Sequence, residues 1–129
     1  MTWFNSRLSR NKFRARPIHN LMTGQSFDST GESTRYKQLQ LLERAGHISN
    51  LKLHEKIVLV AKTVTAPEIA WKMDYTYTEY NRMIAEDYKP RPHTSRETLL
   101  FKLWQHFGPC PLRITGVNGK LKRQIHGRR

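Results

Sequence analysis

Cysteine is almost absent from this sequence: Cys110 is the single one among 129 residues. One thiol cannot form an internal disulfide, and no second cysteine offers the spacing of a zinc ribbon, so both scaffolds are excluded. Long apolar runs are also missing, because the longest, residues 57–61, is far shorter than the roughly 20 residues of a membrane span. The N-terminus lacks the apolar stretch of a secretory signal. These absences predict a soluble, non-membrane, non-secreted protein of a reducing compartment, the cytoplasm. The Arg-rich start also has the composition of a transit peptide, an alternative that Pro17 disfavours.

Acidic residues are scarce as well, with 10 Asp and Glu against 23 Lys and Arg and a formal net charge of +13. A polyanion, most simply a nucleic acid, is therefore the expected partner. The excess charge lies at the ends, since residues 1–27 and 117–129 contain no acid. We expect these basic arms to contact phosphates without reading sequence. The predicted nucleic-acid-binding residues of the arms are Arg7, Arg10, Lys12, Arg14, Arg16, Lys120, Lys122 and Arg123.

The segment between the arms carries the periodic patterns of a folded domain. Ser29 and Glu32 have the spacing of a capping box, which predicts a helix to about residue 45. Aliphatic and β-branched residues predict a strand to Val60. Alternation predicts a second strand over 71–77 with one face formed by Trp71, Met73, Tyr75 and Tyr77. A turn at Asn81–Arg82 would join it to a third strand over 83–89.

Two prolines at 90 and 92 end that third strand. Thr94 and Glu97 repeat the capping-box spacing, and an apolar stripe predicts a second helix that ends at Gly108–Pro109. A last strand is expected over 112–117. The order α-β-β-β-α-β predicts an α/β fold, a small mixed sheet flanked by helices. We divide the chain into a basic arm (1–27), a folded domain (28–117) and a basic tail (118–129).

Four residues of this domain form a candidate catalytic set. Asp87 and Lys89 are two apart on a predicted strand and therefore point to the same face. The hairpin places Asp74 opposite a position near 88, and Glu32 lies on the first helix. Hydrolysis of a phosphodiester uses oxygen ligands for Mg²⁺ or Mn²⁺ and a cation near the developing charge. Taken singly, each residue also has a non-catalytic explanation. Glu32 would cap the helix, Asp74 would belong to a solvent-exposed polar face of its strand, and Asp87 and Lys89 would form a surface ion pair.

The sequence resembles a known family at three places. Residues 27–36 (FDSTGESTRY) and 41–51 (LLERAGHISNL) look like the opening of a phage-encoded family of uncharacterised proteins assigned to the PD-(D/E)XK nuclease superfamily. That family ends its core with a Glu-Asp-x-Lys strand, to which residues 86–89 (EDYK) are similar. The likeness covers about residues 10–117. It differs where the family usually has Gln-Pro after the first strand and this chain has His54–Glu55, and where Pro90 replaces a common Gly.

The resemblance implies a restriction-endonuclease-like core and a Mg²⁺- or Mn²⁺-dependent DNA endonuclease of phage type, acting in the host cytoplasm and related to junction resolvases. Glu32, Asp74 and Asp87 would be the metal-binding acids and Lys89 the motif lysine. Arg91 and Arg96 follow that lysine closely and are predicted to contact phosphates. A small domain without a sequence-reading module favours structure-selective cutting of Holliday junctions or other branched DNA, by a homodimer that makes paired nicks.

A second interpretation comes from the charge alone. A non-catalytic nucleic-acid-binding protein, of the virion or ribosomal structural type, also has basic ends on either side of a domain whose positive and negative charges are nearly equal in number. Removal of the acids discriminates between the two interpretations. It would abolish cleavage by a nuclease, whereas it would leave the affinity of a binding protein unchanged or raise it by relieving repulsion from phosphates.

Overall fold

The computed structural model describes residues 18–20, 25–27 and 30–128. Within these ranges the chain forms two α-helices, α1 and α2, one short 3-10 helix (Val117–Gly119), and nine strands, β1 to β9. The helices are α1 (Thr30–Arg44) and α2 (Ser95–Phe107). The strands are β1 (Ile18–Asn20), β2 (Gln25–Phe27), β3 (Ser49–Leu53), β4 (Lys56–Val60), β5 (Ile69–Lys72), β6 (Tyr75–Glu79), β7 (Arg82–Tyr88), β8 (Leu112–Thr115) and β9 (Leu121–Ile125).

A five-stranded mixed sheet with the order β3-β6-β7-β8-β9 forms the centre of the fold. β7 and β8 run parallel, while the other neighbouring strands of this sheet are antiparallel. A parallel pair requires a crossover connection, and α2 lies in that connection. The predicted α/β class and the mixed sheet flanked by helices are confirmed. No helix in the described part of the chain is both long and apolar enough to cross a membrane.

The two faces of the sheet carry separate hydrophobic clusters. Consecutive residues of β7 point to opposite faces, so Ile84 packs into the cluster that contains Tyr36 and Leu39 of α1. Ala85 packs into the second cluster, which contains Trp104 of α2 and residues of β4 and β5. The sheet is therefore covered by α1 on one face and by α2 with the β4–β5 hairpin on the other.

The predicted strand to Val60 is wrong in one respect, because it breaks at His54 and Glu55 into β3 and β4, which lie in different sheets. The predicted second strand breaks in the same way between β5 and β6. Leu53 pairs with Tyr75 and Lys56 pairs with Lys72, so the register does not slip across the break. The two breaks together form a corner, residues 54–55 and 73–74, at which one long ribbon bends.

Backbone hydrogen bonds join the two sides of the corner: His54 N–H donates to the Asp74 carbonyl at 3.2 Å, and Met73 N–H donates to the Glu55 carbonyl at 2.9 Å. The bend sends Met73 to the α2 side of the sheet and Tyr75 to the α1 side. The expectation that Trp71, Met73, Tyr75 and Tyr77 share one face is therefore wrong. Strict alternation holds only within a straight strand, and the corner interrupts it.

The hairpin between β6 and β7 turns one residue earlier than predicted. Tyr80 and Asn81 have φ values of 51° and 63°, and β7 already begins at Arg82. A two-residue turn with both φ values positive matches the twist of an antiparallel hairpin. Tyr75 consequently pairs with Glu86, which places position 74 opposite Asp87 rather than near residue 88.

Part of the predicted C-terminal tail belongs to the sheet. β9 pairs with β8 in antiparallel fashion and forms the sheet edge. Ile125 is 2% exposed and belongs to the cluster on the α2 side. The two apolar residues of β9, Leu121 and Ile125, are four positions apart in a basic run and show no alternation, so the sequence does not predict this strand. The capping box of α2, by contrast, is present with Thr94 and Glu97 as expected.

Candidate functional site

Three carboxylates from three separate elements meet near the end of β7. Asp74 lies at the corner of the ribbon, Asp87 lies on β7, and Glu32 lies in the first turn of α1. One carboxylate oxygen each of Glu32 and Asp74 and one ring nitrogen of His54 lie within 4.8 Å of one another. Asp87 lies close enough to Asp74 for its negative charge to raise the pKa of Asp74. The fold therefore brings together the three acids that the sequence analysis selected.

Packing against β6 and β7 positions the first turn of α1. The Tyr75 hydroxyl donates a 2.6 Å hydrogen bond to the backbone carbonyl of Glu32. The Tyr88 ring lies so close to Gly31 that a side chain at position 31 would collide with its hydroxyl. Glu32 itself is 4% exposed. Glycine at position 31 thus allows the close approach that places the Glu32 carboxylate beside the corner.

Asp74 is held from the opposite strand. Its Oδ2 accepts a 2.7 Å hydrogen bond from the backbone N–H of Tyr88. Burial, together with the negative charges of Asp87 and Glu32, raises the pKa of Asp74 well above its usual range. Neighbouring carboxylates repel one another, and a shared proton or a bound cation relieves this repulsion. The donor set of carboxylate oxygens fits a hard divalent cation such as Mg²⁺ or Mn²⁺.

Lys89 follows β7 directly and is 8% exposed. Its Nζ lies 2.8 Å from Asp87 Oδ2 and 2.8 Å from Glu97 Oε2. Burial opposes the charge of this lysine, but the carboxylates of Asp87 and Glu97 outweigh it and raise the pKa of Lys89 above its usual range. The ammonium group is therefore positively charged at the edge of the carboxylate cluster.

Glu97 is a site residue whose role sequence reasoning missed. The sequence pointed to it only as the capping partner of Thr94, whose backbone N–H does donate to Glu97 Oε1 at 2.8 Å. The same carboxylate also accepts from Arg91 at 3.0 and 3.3 Å and contacts Lys89. Burial disfavours its charge, but the hydrogen bonds from Arg91 and Lys89 lower the pKa of Glu97 to about 2. No local signal distinguishes a glutamate that only caps its helix from one that also binds Lys89 and Arg91.

His54 is the second residue that was missed. It lies at the corner with a φ of 56°, and its Nε2 is 3.4 Å from Glu32 Oε1. The available signal was its place in the chain. His54 directly follows β3, at the position where this sequence differs from the Gln of the family that it resembles.

Glu86, the neighbour of Asp87, points away from this site. It is 0% exposed and forms a bidentate ion pair with Arg35 at 2.6 and 2.9 Å. It also accepts hydrogen bonds from the hydroxyls of Tyr77 and Thr115 at 2.7 and 3.1 Å. Successive strand residues face opposite sides, so Glu86 joins α1 to the sheet whereas Asp87 joins the carboxylate cluster.

The residues predicted to contact phosphates have different environments. Arg91 is partly exposed and bound to Glu97. Lys122 Nζ donates to the backbone carbonyls of Lys89 and Arg91 at 2.8 and 2.9 Å, so this lysine anchors the segment after β7. The guanidinium of Arg123 lies 5.5 Å from the ring centroid of Phe101.

Arg96, Lys120 and Arg123 are exposed. The predicted contacts of the N-terminal arm, namely Arg7, Arg10, Lys12, Arg14 and Arg16, lie outside the described residues. Phosphate binding by the exposed residues and by the arm stays a prediction.

One family model matches the chain. It is described as "Protein of unknown function (DUF1064)" and matches residues 10–106. The matched range contains α1, the corner, β7 and nearly all of α2, and so includes every member of the carboxylate cluster. A search of the curated proteins and a search of the solved structures find no match.

Proposed function

The chain belongs to the DUF1064 family, and we propose that it is a DNA endonuclease dependent on Mg²⁺ or Mn²⁺. The observation that carries the proposal is the meeting of Glu32, Asp74 and Asp87 beside the buried Lys89. The helix that carries Glu32 is far in sequence from the hairpin that carries Asp74 and Asp87. An ordinary surface pair does not require such an arrangement.

The carboxylates are the groups that would hold the metal. Oxygen ligands suit Mg²⁺ and Mn²⁺, and a divalent cation would relieve the repulsion that raises the pKa of Asp74. When bound, the ion supplies positive charge that polarises a phosphoryl oxygen and lowers the pKa of water. His54 stands close enough to add a nitrogen ligand to Glu32 and Asp74.

Lys89 is the catalytic cation in this proposal. Its charge is secured by Asp87 and Glu97, so it can orient the attacking water or stabilise charge that develops on the phosphate. Asp87 contacts Lys89 at 2.8 Å and lies close enough to Asp74 to raise its pKa, so it lies between the catalytic cation and the other proposed metal ligands.

Nucleic acid is the proposed substrate because the chain has a net charge of +13 and phosphates dominate the affinity of such proteins for DNA. The resemblance of residues 27–36 and 86–89 to a phage family of the PD-(D/E)XK superfamily supports DNA cleavage in the host cytoplasm. On the same ground we assign the sheet and its helices to a restriction-endonuclease-like core. We further propose a homodimer that nicks branched DNA, such as a Holliday junction, in pairs.

Cleavage of a labelled four-way DNA junction and of a matched linear duplex tests the proposal. Wild type and Asp87→Ala are compared with Mg²⁺, with Mn²⁺ and with EDTA, and Glu68→Gln serves as control because Glu68 is an exposed acid on the β4–β5 hairpin that pairs with Lys56. We expect metal-dependent cutting by wild type and the control, and a loss of about 100-fold or more in Asp87→Ala. Cutting by Asp87→Ala at the wild-type rate would refute the assignment.

The same experiment decides against the non-catalytic alternative. A protein that binds both DNAs without cutting either one, and whose Asp87→Ala variant binds as well or more tightly, is a nucleic-acid-binding protein rather than a nuclease. The ratio of junction to duplex cleavage measures the selectivity for branched DNA.

A further inference from the structure

Four charged side chains of alternating sign form a continuous row that leads away from the carboxylate cluster. The row begins at Asp87, whose Oδ2 lies 2.8 Å from Lys89 Nζ. Lys89 contacts Glu97 Oε2 at 2.8 Å, and Glu97 Oε1 lies 3.0 Å from Arg91 Nη1. One lysine is thus shared between a proposed metal ligand and a carboxylate outside the ligand set.

We propose that Glu97 is a positioning residue that sets the affinity of the site for its divalent ion by sharing the ammonium group of Lys89 with Asp87. The inference rests on the proposed function, because it takes Asp87 as a metal ligand. It goes beyond that function by assigning a role to a residue that touches neither the metal nor the substrate.

The physical basis is competition for one carboxylate. An ammonium that is bound to Asp87 alone neutralises this carboxylate and opposes a second cation at the same oxygens. When Glu97 binds the same ammonium at an equal distance, the lysine divides its interaction between two anions. More of the negative charge of Asp87 then remains for the metal.

Glu97 is well placed for this role because it cannot easily move. It is 0% exposed, and its two oxygens are also held by Arg91 and by the backbone N–H of Thr94. Lys122 Nζ fixes the carbonyls of Lys89 and Arg91. The lysine therefore lies between a fixed carboxylate and the metal ligand.

Titration calorimetry with Mg²⁺ alone and with Mn²⁺ alone, in the absence of DNA, tests the proposal on four forms of the full chain: wild type, Glu97→Gln, Lys89→Met and the double variant. We expect Glu97→Gln to weaken metal binding about tenfold. This is the lower end of the loss in metal affinity seen when a residue that contacts a metal ligand, but not the metal, is changed. Lys89→Met should bind at least as tightly as wild type, since Asp87 is then released. The double variant should bind like Lys89→Met.

The double-mutant cycle separates positioning from a structural role. If Glu97→Gln weakens metal binding equally with and without Lys89, Glu97 does not act through the lysine and the proposal is overturned. Lys89→Met that binds metal more weakly than wild type also overturns it, and this result does not depend on whether Glu97→Gln folds. Urea denaturation of each variant checks the fold, and Glu79→Gln, which removes a carboxylate paired with Arg113, is the matched control.

The result for wild type distinguishes failure of this inference from failure of the proposed function. Wild type that binds neither ion overturns both. Wild type that binds metal and cuts DNA, together with Glu97→Gln of unchanged metal affinity, overturns the role of Glu97 alone. Glu97→Asp, which restores the charge on a shorter side chain, should recover part of the affinity that Glu97→Gln loses.

Discussion

The carboxylate of Asp74 accepts a 2.7 Å hydrogen bond from the backbone N–H of Tyr88. This bond joins the corner of the β-ribbon to the end of β7, two segments that contribute different acids to the candidate site. Asp74 is therefore a proposed metal ligand and also connects the corner to the end of β7. Substitutions at position 74 can separate these two roles.

Asp74→Asn keeps an oxygen that can accept the hydrogen bond from Tyr88 but removes the charge. We expect it to fold with nearly wild-type stability and to lose metal-dependent cleavage by about 100-fold. Asp74→Ala should in addition lose about 1–3 kcal/mol of unfolding free energy, because the buried N–H loses its partner. Urea denaturation and the junction assay measure the two effects. Full activity in a stable Asp74→Asn variant would exclude Asp74 from the chemistry.

The ion pair between Arg35 and Glu86 stabilises the fold on the other face of the sheet. Arg35→Met leaves the carboxylate of Glu86 buried without its guanidinium partner, and we expect a loss of about 3–5 kcal/mol in unfolding free energy. Glu86→Gln should remain active wherever it is folded, although Glu86 is the direct neighbour of Asp87. Loss of cleavage in folded Glu86→Gln protein would contradict this separation of the two faces.

His54 is expected to influence which metal the site prefers. Imidazole nitrogen suits transition metals, whereas Mg²⁺ favours oxygen ligands. His54→Ala should therefore weaken Mn²⁺ binding by about tenfold or more and Mg²⁺ binding by less, as measured by calorimetry. His47→Ala is a control, since His47 is exposed beyond the end of α1. Equal losses for both ions would indicate that His54 only supports Glu32.

The depressed pKa of Glu97 predicts how stability depends on pH. Because the pKa of this carboxyl is lowered to about 2 in the folded protein, its contribution to stability is fully present above its unfolded value near 4.5 and is lost as pH falls from there toward 2. Glu97→Gln should show a shallower decline of unfolding free energy across this range. Parallel curves for the two proteins, determined by urea denaturation, would argue against a linkage through Glu97.

The exposed cations Lys120 and Arg123 should contribute to DNA binding through phosphate contacts. Each lost phosphate contact makes the negative slope of log affinity against log salt shallower by about 0.9. The double variant Lys120→Gln, Arg123→Gln should therefore have a slope that is shallower by up to about twice 0.9. Fluorescence anisotropy at several salt concentrations measures the slope. Lys62→Gln, an exposed change in the loop after β4, is the comparison, and an equal effect there would indicate nonspecific attraction only.

Local signals in the sequence predicted a substantial part of this fold. The capping box at Thr94 and Glu97 gave the start of α2, and Pro90 gave the end of β7, because caps and prolines act within a few residues. The pairing of Asp74 with the end of β7 was predicted to within one residue, since a hairpin turn determines its own register.

Only the tertiary structure decided which residues complete the candidate site. The corner at His54 and Asp74 is invisible to alternation, because each half of the ribbon satisfies its own pattern and the bend depends on hydrogen bonds between the two sides. The burial of Glu97 against Lys89 depends on where α2 packs. The position of β9 at the sheet edge depends on its pairing with β8. The sequence by itself determined the chemical groups and the elements that carry them; their convergence on one site depends on contacts between segments that are distant along the chain.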